Sequence, residues 1–288
     1  MKFWQVVSFA EPEQLVEIAR AAEEAGFHGV LLADHLFFPG NLRSRYPYSA
    51  DGKPMFDGTT PFPDPWTTIA AMSSVTTRLR FATMVFILPL RNPLELAKTL
   101  GTLALLSNGR VALGAGAGWI REEYDTLGVP FETRGKRMEE MVAVMRQVWT
   151  GRMVEHHGRF FSHGPLQMSP APGRPIPIYF GGISDVALAR AARLGQGWMG
   201  TGQTPDEAVE LCARLAKLRA EAGREQEPFE TIVPLVVPPE LDLLRRLEAQ
   251  GVTSTSCYPF NYTIGPRSTL AQKREQMLRF GDTVIAKL

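Results

Sequence analysis

The sequence predicts an α/β fold of the (β/α)8 TIM-barrel class. Two observations carry this prediction. Short hydrophobic segments rich in β-branched and aromatic residues alternate with longer segments of helical periodicity, and most of the short segments are apolar throughout. Continuous apolarity indicates strands covered on both faces, as in a parallel sheet enclosed by helices. The length of 288 residues fits one such barrel with insertions, so we expect a single domain over residues 1–288; an open doubly wound sheet is the alternative.

Eight segments are predicted to form the strands of the barrel. They are residues 2–9, 29–33, 79–86, 109–113, 176–180, 197–201, 231–237 and 252–256. The helices between them are predicted from their own start and stop signals. An apolar stripe begins at Leu15, and Gly26 can end that helix in a left-handed conformation. Asp64, Asn92 and Thr204 each precede a proline, the pattern of a capping residue followed by the first helical position.

Two connections are too long to be simple turns. Residues 36–63 follow the second strand, and residues 151–175 follow the fourth helix. Long irregular segments in a compact fold are usually binding loops or lids. We therefore expect two insertions on the carboxyl-terminal side of the strands, where barrel enzymes carry their active sites.

Charge and hydropathy exclude several classes of function. The formal net charge is +1, without a block of one sign, so we expect no nucleic-acid partner. The longest apolar run, residues 81–90, is half of the roughly 20 residues that a membrane-spanning helix needs. Two cysteines are too few for a disulfide framework, and the first residues lack the features of a secretory signal. These observations favour a cytoplasmic protein.

Asp34 and His35 stand directly after the second predicted strand. An imidazole at this end of a barrel strand can exchange a proton near neutral pH, and an adjacent carboxylate can orient it. The alternative is a histidine bonded to a loop carbonyl and an aspartate that caps a turn.

Two glycine-containing segments follow later strands. Gly114, Gly116 and Gly118 alternate after the fourth strand, either to let a ligand approach the backbone or to allow a tight strand exit. Trp119 occupies the third glycine position of a dinucleotide fingerprint, so that motif is excluded. After the fifth strand, the segment Gly181-Gly182-Ile183-Ser184 precedes a helix and has the geometry of a phosphate site; the alternative is that Ser184 only caps the helix.

Three histidines and two adjacent glutamates are further candidates for chemistry. His156, His157 and His163 lack partner ligands at a known metal spacing, and their glycine-rich neighbours indicate a hairpin, so we expect no metal site. Glu122 and Glu123 fall in a predicted short helix after the glycine-rich segment. We expect one of them to be exposed and Glu122 to face the barrel mouth.

Five separated motifs, taken together, resemble the bacterial luciferase-like superfamily, and within it the branch of coenzyme F420-dependent oxidoreductases. The motifs are Ala33-Asp34-His35-Leu36, Asp64-Pro65-Trp66, Leu90-Arg91-Asn92-Pro93, Leu106-Ser107-Asn108-Gly109-Arg110-Val111 continuing into Gly114-Ala115-Gly116-Ala117-Gly118-Trp119, and Gly181-Gly182-Ile183-Ser184. This resemblance implies a (β/α)8 barrel with a flavin or deazaflavin across its carboxyl-terminal mouth. It extends to about Trp198, and dimers are common in the family.

The resemblance also implies roles for individual residues. A non-prolyl cis peptide at about Thr83-Met84 would support the cofactor ring, and the cofactor phosphate would lie at Gly181, Gly182, Ile183 and Ser184. Asp34 and His35 match the pair that contacts the deazaflavin, with His35 as the acid/base candidate. Further cofactor contacts are expected at Gly116, Trp119 and Glu122.

One position departs from the sugar-phosphate dehydrogenases of the family. Those enzymes carry a carboxylate where this chain has Trp119, so sugar-phosphate oxidation is not expected. Trp119 and the aromatic residues Tyr46, Tyr48 and Phe56 favour an apolar or aromatic substrate; the alternative is that the aromatic loop packs against itself. We therefore expect an F420-dependent oxidoreductase that acts on a small organic substrate. The alternatives are an FMN-dependent monooxygenase of the same superfamily and a flavin-binding protein without turnover.

Overall fold

The computed structural model describes residues 1–288, and its centre is a closed barrel of eight parallel strand positions. The strands in chain order are β1 (Lys2–Val6), β2 (Gly29–Leu32), β3 (Arg80–Thr83), β4 (Phe86–Ile87), β5 (Val111–Gly116), β6 (Val154–His157), β7 (Ser162–Leu166), β8 (Ile178–Gly181), β9 (Gly197–Met199), β10 (Glu230–Ile232) and β11 (Ser254–Cys257). The barrel order is β3-β2-β1-β11-β10-β9-β8-β5, and the pairing of β3 with β5 closes it. β4 continues the line of β3 alongside β5. The predicted fold class and all eight predicted strands are confirmed.

Ten helices accompany the strands. They are α1 (Leu15–Glu24), α2 (Pro65–Ser74), α3 (Pro93–Leu106), α4 (Arg121–Thr126), α5 (Arg134–Val148), α6 (Asp185–Leu194), α7 (Pro205–Glu221), α8 (Leu241–Ala249), α9 (Phe260–Thr263) and α10 (Leu270–Thr283). The predicted caps are present: Asp64 accepts the amide of Thr67 at 2.8 Å, and Thr204 forms a capping box with Glu207. Gly26 follows α1 at φ +82°. None of the helices is long and apolar enough to cross a membrane.

The core has two layers. Between the sheet and the helices lies a cluster of 50 buried residues, and inside the barrel lies a second cluster of 7. The members of the inner cluster are Trp4, Leu31, Ala82, Ala112, Tyr179, Met199 and Ile232. The barrel interior is therefore filled by side chains, as is typical of this fold, and in such barrels the ligand site is at the carboxyl-terminal mouth.

A polar cluster around Glu230 closes the amino-terminal end of the barrel. The carboxylate accepts Trp4 Nε1 at 3.1 Å, the Tyr179 hydroxyl at 3.1 Å and Ser254 Oγ at 2.6 Å, and Lys2 Nζ lies 3.0 Å away. These partners satisfy a carboxylate that would otherwise be costly to bury. The cluster belongs to the end of the barrel opposite the mouth and serves stability.

The two insertions lie in different places. Residues 33–64 contain no helix or strand and contribute side chains to the mouth. Residues 151–175 contain the β6–β7 hairpin, which α5 holds through Glu140: its carboxylate accepts the amides of Phe160 and Phe161 at 2.9 and 2.8 Å. Lys98 of α3 donates to the carbonyl of Ser169. The expectation that both insertions lie at the carboxyl-terminal side is therefore wrong for the second, because it connects a helix to the amino end of the next strand.

Candidate active site

Asp34 is buried at the end of β2, and its carboxylate is fully engaged by the barrel. Arg91 Nη2 donates to both oxygens at 2.8 and 3.0 Å, and the amide of Ile87 donates to Oδ2 at 2.9 Å. Burial raises the pKa of Asp34, while Arg91 and the Ile87 amide act in the opposite direction. The carboxylate thus joins β2 to β4 and to the segment before α3. It does not orient the neighbouring imidazole.

The carboxylate that contacts His35 belongs to Glu123 of α4. Glu123 Oε2 lies 3.2 Å from His35 Nδ1, and Oε1 accepts the amide of Leu36 at 3.0 Å. The Glu123 side chain is 0% exposed, and that of His35 is 11% exposed. His35 Nε2 forms no hydrogen bond within the protein. One ring nitrogen is therefore held by the protein, and the other is available to a ligand.

Aromatic rings surround the His35 imidazole. Its centroid lies 5.0 Å from that of Phe56, 5.2 Å from that of Phe62 and 6.1 Å from that of Trp119. Tyr46 extends this wall, with its ring 5.2 Å from that of Trp119. The aromatic residues of the first insertion pack against one another and also line the surroundings of His35. This insertion is the one that covers the candidate site.

An apolar layer lies at the mouth, directly above the inner core. It consists of Val6, Met84 and Val85, which are partly exposed and pack on the inner cluster. A non-prolyl cis peptide joins Met84 to Val85, one residue later than the expected Thr83-Met84 position. These three side chains form an apolar surface of the kind on which a planar ring can rest.

The glycines around Val85 make room for its side chain. A Cβ at Gly116 would lie 2.3 Å from Val85 Cγ2, and one at Gly181 would lie 2.6 Å from Val85 Cγ1. A Cβ at Gly114 would lie 1.7 Å from the Thr83 carbonyl oxygen. Close packing therefore accounts for the alternate glycines, and the predicted cofactor residue Gly116 is itself covered by Val85.

Thr83 is placed in the sheet rather than at the mouth surface. It is 0% exposed, and its hydroxyl donates to the carbonyl of Gly114 at 2.8 Å and accepts the amide of Gly114 at 3.1 Å. This exchange ties β3 to β5. The partly exposed residues that follow, Met84 and Val85, lie at the surface of the mouth instead.

The segment Gly181-Gly182-Ile183-Ser184 leads from β8 into α6. Ser184 caps the helix by accepting the Ala187 amide at 3.3 Å, and Gly182 adopts φ +112°. The amides of Ile183, Ser184 and Asp185 have no hydrogen-bond partner in the protein. Unpaired amides at a helix N-terminus favour an anion, so both the capping role and the geometry of a phosphate site are present.

Glu122 points to the first insertion. Its carboxylate accepts the amide of Arg43 at 2.7 Å, the amide of Ser44 at 3.1 Å and the Ser44 hydroxyl at 2.7 Å. The Glu122 side chain is only 11% exposed. The expectation that one of the two glutamates is exposed is therefore wrong. The acid beside His35 is Glu123, and Glu122 anchors the loop that carries Tyr46.

Three residues of this site have positions that the sequence did not predict. They are Glu123, Val85 and Phe62. The sequence does contain an indication for Glu123. Adjacent side chains of a helix point about 100° apart, so the two consecutive glutamates of this six-residue helix must contact different parts of the protein. For Val85 and Phe62 the chain carries no local signal, because their positions depend on the strand interruption and on the path of the insertion.

Known proteins resemble this chain in sequence and in structure. An uncharacterized protein of Mycobacterium tuberculosis is 40% identical over 290 residues, covering 100% of both chains. The F420-dependent hydroxymycolic acid dehydrogenase of the same species is 32% identical over 218 residues, which cover 74% of this chain and 55% of that protein.

Two solved structures share the fold at low sequence identity. The monooxygenase RslO1 from Streptomyces bottropensis superposes with a TM-score of 0.76 at 18% identity, covering 100% of this chain and 99% of that chain. The coenzyme F420-dependent tetrahydromethanopterin reductase from Methanopyrus kandleri has a TM-score of 0.75 at 16% identity, with 99% of both chains covered. Residues 4–239 match the family of luciferase-like monooxygenases, and the chain belongs to that family.

Proposed function

We propose that this protein is an oxidoreductase that transfers a hydride between the deazaflavin coenzyme F420 and a small organic substrate. The observation that carries the proposal is the state of His35, whose Nδ1 is held by Glu123 while Nε2 is left without a partner at the mouth. Sequence relatives support the choice of cofactor: an F420-dependent hydroxymycolic acid dehydrogenase is 32% identical, and the F420-dependent glucose-6-phosphate dehydrogenase of Microbacterium testaceum is 29% identical.

The residues at the mouth fit a deazaflavin. Val6, Met84 and Val85 offer the ring an apolar surface, and the unpaired amides at the start of α6 offer its phosphate hydrogen-bond donors and a favourable dipole. The carboxylate of Asp185 is paired with Arg214 of α7, which offsets its negative charge near this site. Such a binding mode needs no strongly basic surface, in agreement with the net charge of +1.

When bound, the deazaflavin supplies the hydride chemistry, and the protein supplies orientation, a dry site and a proton carrier. Oxidation of an alcohol removes a hydride from carbon and a proton from oxygen. His35 Nε2 accepts that proton, and in the opposite direction it returns the proton to the carbonyl oxygen. Phe56, Phe62 and Trp119 exclude water from the imidazole and favour a substrate with an apolar or aromatic body.

A second candidate function is an FMN-dependent monooxygenase. The apolar layer at Met84 and Val85 and the amides at Ile183 and Ser184 suit FMN as well, because FMN also joins a planar ring to a phosphate. The fold is shared with a monooxygenase. The two functions differ in oxygen chemistry, since reduced FMN reacts readily with oxygen and reduced deazaflavin reacts poorly.

Replacement of His35 tests the catalytic part of the proposal. We expect His35→Asn to bind F420 as the wild type does and to lower the rate of hydride transfer by at least about 100-fold. The matched control is His157→Asn, which removes an exposed histidine of the β6–β7 hairpin and leaves the rate unchanged. A variant at His35 that binds F420 normally and retains the full rate contradicts the proton-carrier role.

A further inference from the structure

The Glu123 carboxylate is enclosed by the protein and has few partners. It is 0% exposed, and its only hydrogen-bond partners are His35 Nδ1 at 3.2 Å and the Leu36 amide at 3.0 Å. No lysine or arginine forms an ion pair with it. The charge of a buried carboxylate is costly unless a cation pairs with it, and His35 is the one neighbouring group that can become that cation.

We propose that Glu123 is a positioning residue of the reaction: it holds His35 in the tautomer protonated at Nδ1 and stabilises the imidazolium that forms when Nε2 accepts a proton. This inference rests on the proposed function, because it assigns a role within the same site. It gives Nε2, and not Nδ1, the contact with substrate.

The hydrogen-bond pattern determines the tautomer. An ionised carboxylate only accepts hydrogen bonds, and the Leu36 amide already donates to Oε1. Oε2 therefore requires a donor, which the imidazole supplies as Nδ1–H. In the neutral ring, Nε2 then carries the lone pair that a general base needs.

The surroundings restrict the imidazole to this orientation. The Phe62 ring lies edge-on to it at an interplanar angle of 90°, and Phe56 covers it at 37°. Rotation of the ring would move Nδ1 away from Glu123 and into apolar surroundings, where a polar nitrogen loses its partner.

The other ionisable groups near this pair are already occupied. Asp34 is paired with Arg91, and Glu122 is bound to the insertion at Arg43 and Ser44. Tyr124 donates to the carbonyl of Ala117, and burial raises the pKa of its phenol. Glu123 is therefore the carboxylate free to respond to a change in the charge of His35.

The substitution Glu123→Gln separates charge and tautomer from packing. Glutamine has nearly the same shape, and its amide oxygen can still accept from Leu36 while its NH2 group donates to Nδ1. The imidazole must then carry its proton on Nε2. We expect the rate of hydride transfer to fall about 100-fold and the pH profile of kcat/KM to shift to lower pH by about one unit, with little change in the Kd for F420.

The tautomer itself is measured by ¹⁵N NMR of the histidine side chains, with His35 assigned from the spectrum of His35→Asn. The wild type should show Nδ1 protonated and Nε2 bare at neutral pH, and Glu123→Gln should show the reverse. Glu123→Asp keeps the carboxylate and should retain the wild-type tautomer and pH profile. Asp125→Asn, an exposed substitution on the same helix, should change nothing.

The outcomes distinguish this inference from the proposed function. A wild-type spectrum with the proton on Nε2, or an unshifted pH profile in Glu123→Gln, overturns the role of Glu123 while leaving the F420 reaction intact. The wild-type spectrum decides the tautomer even if Glu123→Gln does not fold. Lack of any F420-dependent turnover in the wild type overturns the proposed function and does not affect the tautomer measurement.

Discussion

Arg91 Nη2 donates to Asp34 Oδ1 at 2.8 Å and to Oδ2 at 3.0 Å, and the Asp34 side chain is 3% exposed. The guanidinium also lies over the Phe86 ring, 4.5 Å from its centroid. This buried pair connects the end of β2 with the segment that follows β4. The two residues of the Asp-His motif therefore have different contacts: Asp34 holds the segments at the mouth together through Arg91, and His35 contacts Glu123 instead.

Asp34→Asn tests the scaffold role. The substitution keeps the shape but leaves the Arg91 charge without its partner, so we expect the free energy of unfolding to fall by about 3 kcal/mol. Urea denaturation at neutral pH measures the change. Asp282→Asn, an exposed change in α10, is the control and should stay within about 0.5 kcal/mol of the wild type. A loss below about 1 kcal/mol for Asp34→Asn would argue against the scaffold role.

The close approach of Gly181 to Val85 gives a second prediction. A Cβ on Gly181 would lie 2.6 Å from Val85 Cγ1 but 3.7 Å from its Cβ. We expect Gly181→Ala to lower the free energy of unfolding by about 1–3 kcal/mol, and the added change Val85→Ala to remove most of that effect.

A double-mutant cycle by urea denaturation measures this coupling. Gly164→Ala serves as the control, because nothing lies within 4 Å of a Cβ at that position. Strictly additive effects of the two substitutions would show that the two residues do not compete for the same space.

Ser184 provides a test of the phosphate site. Ser184→Ala removes the cap of α6 and should lower the affinity for F420 about tenfold, because the first turn and its amides lose their fixed geometry. The affinity for the deazaflavin chromophore without its phosphate should not change.

Thr269→Ala is the matched control for Ser184→Ala, since it removes the equivalent cap from α10. Fluorescence titration measures both ligands. If Ser184→Ala lowers the affinity for both ligands by the same factor, the phosphate does not bind at this site.

His28 makes stability depend on pH. Burial lowers the pKa of its imidazole from 6.5 to about 4, with Lys2 and Arg80 acting in the same direction and Glu230 opposing. The folded state therefore binds fewer protons than the unfolded state between these values. The contribution of His28 to the free energy of unfolding is therefore fully present above pH 6.5, and it is lost as the pH falls from 6.5 toward 4.

We expect the free energy of unfolding of the wild type to fall by about 2 kcal/mol more between pH 7.5 and 5 than that of His28→Gln. Urea denaturation at both pH values measures the difference. Identical pH dependence of the two proteins would show that His28 titrates normally in the fold.

Much of the barrel could be predicted from the sequence, because strand and helix signals are local. The caps at Asp64 and Thr204 and the stop at Gly26 depend only on neighbouring residues. The predicted ends of the strands are less accurate than their positions in the chain. Residues 231–237 were predicted as one strand, but β10 ends at Ile232, since Pro234 lacks an amide to donate to the sheet.

The site could be predicted only in part. Asp34, His35 and Trp119 do lie at the mouth, as the order of elements requires. Which carboxylate meets His35 depends on how α4 packs on the loop after β2, a tertiary contact between residues 88 positions apart. The neighbourhood of Val85 depends likewise on three strands meeting. Such long-range contacts produce no periodic pattern in the sequence from which they could be predicted.

The most direct test of the proposed function is a titration of the purified protein with F420 and with FMN, each in oxidised and reduced form, followed by absorbance and fluorescence. We predict saturable binding of F420, and reduction of the bound cofactor when a suitable alcohol is supplied. Tight binding of FMN without binding of F420 would contradict the proposed cofactor and favour the monooxygenase.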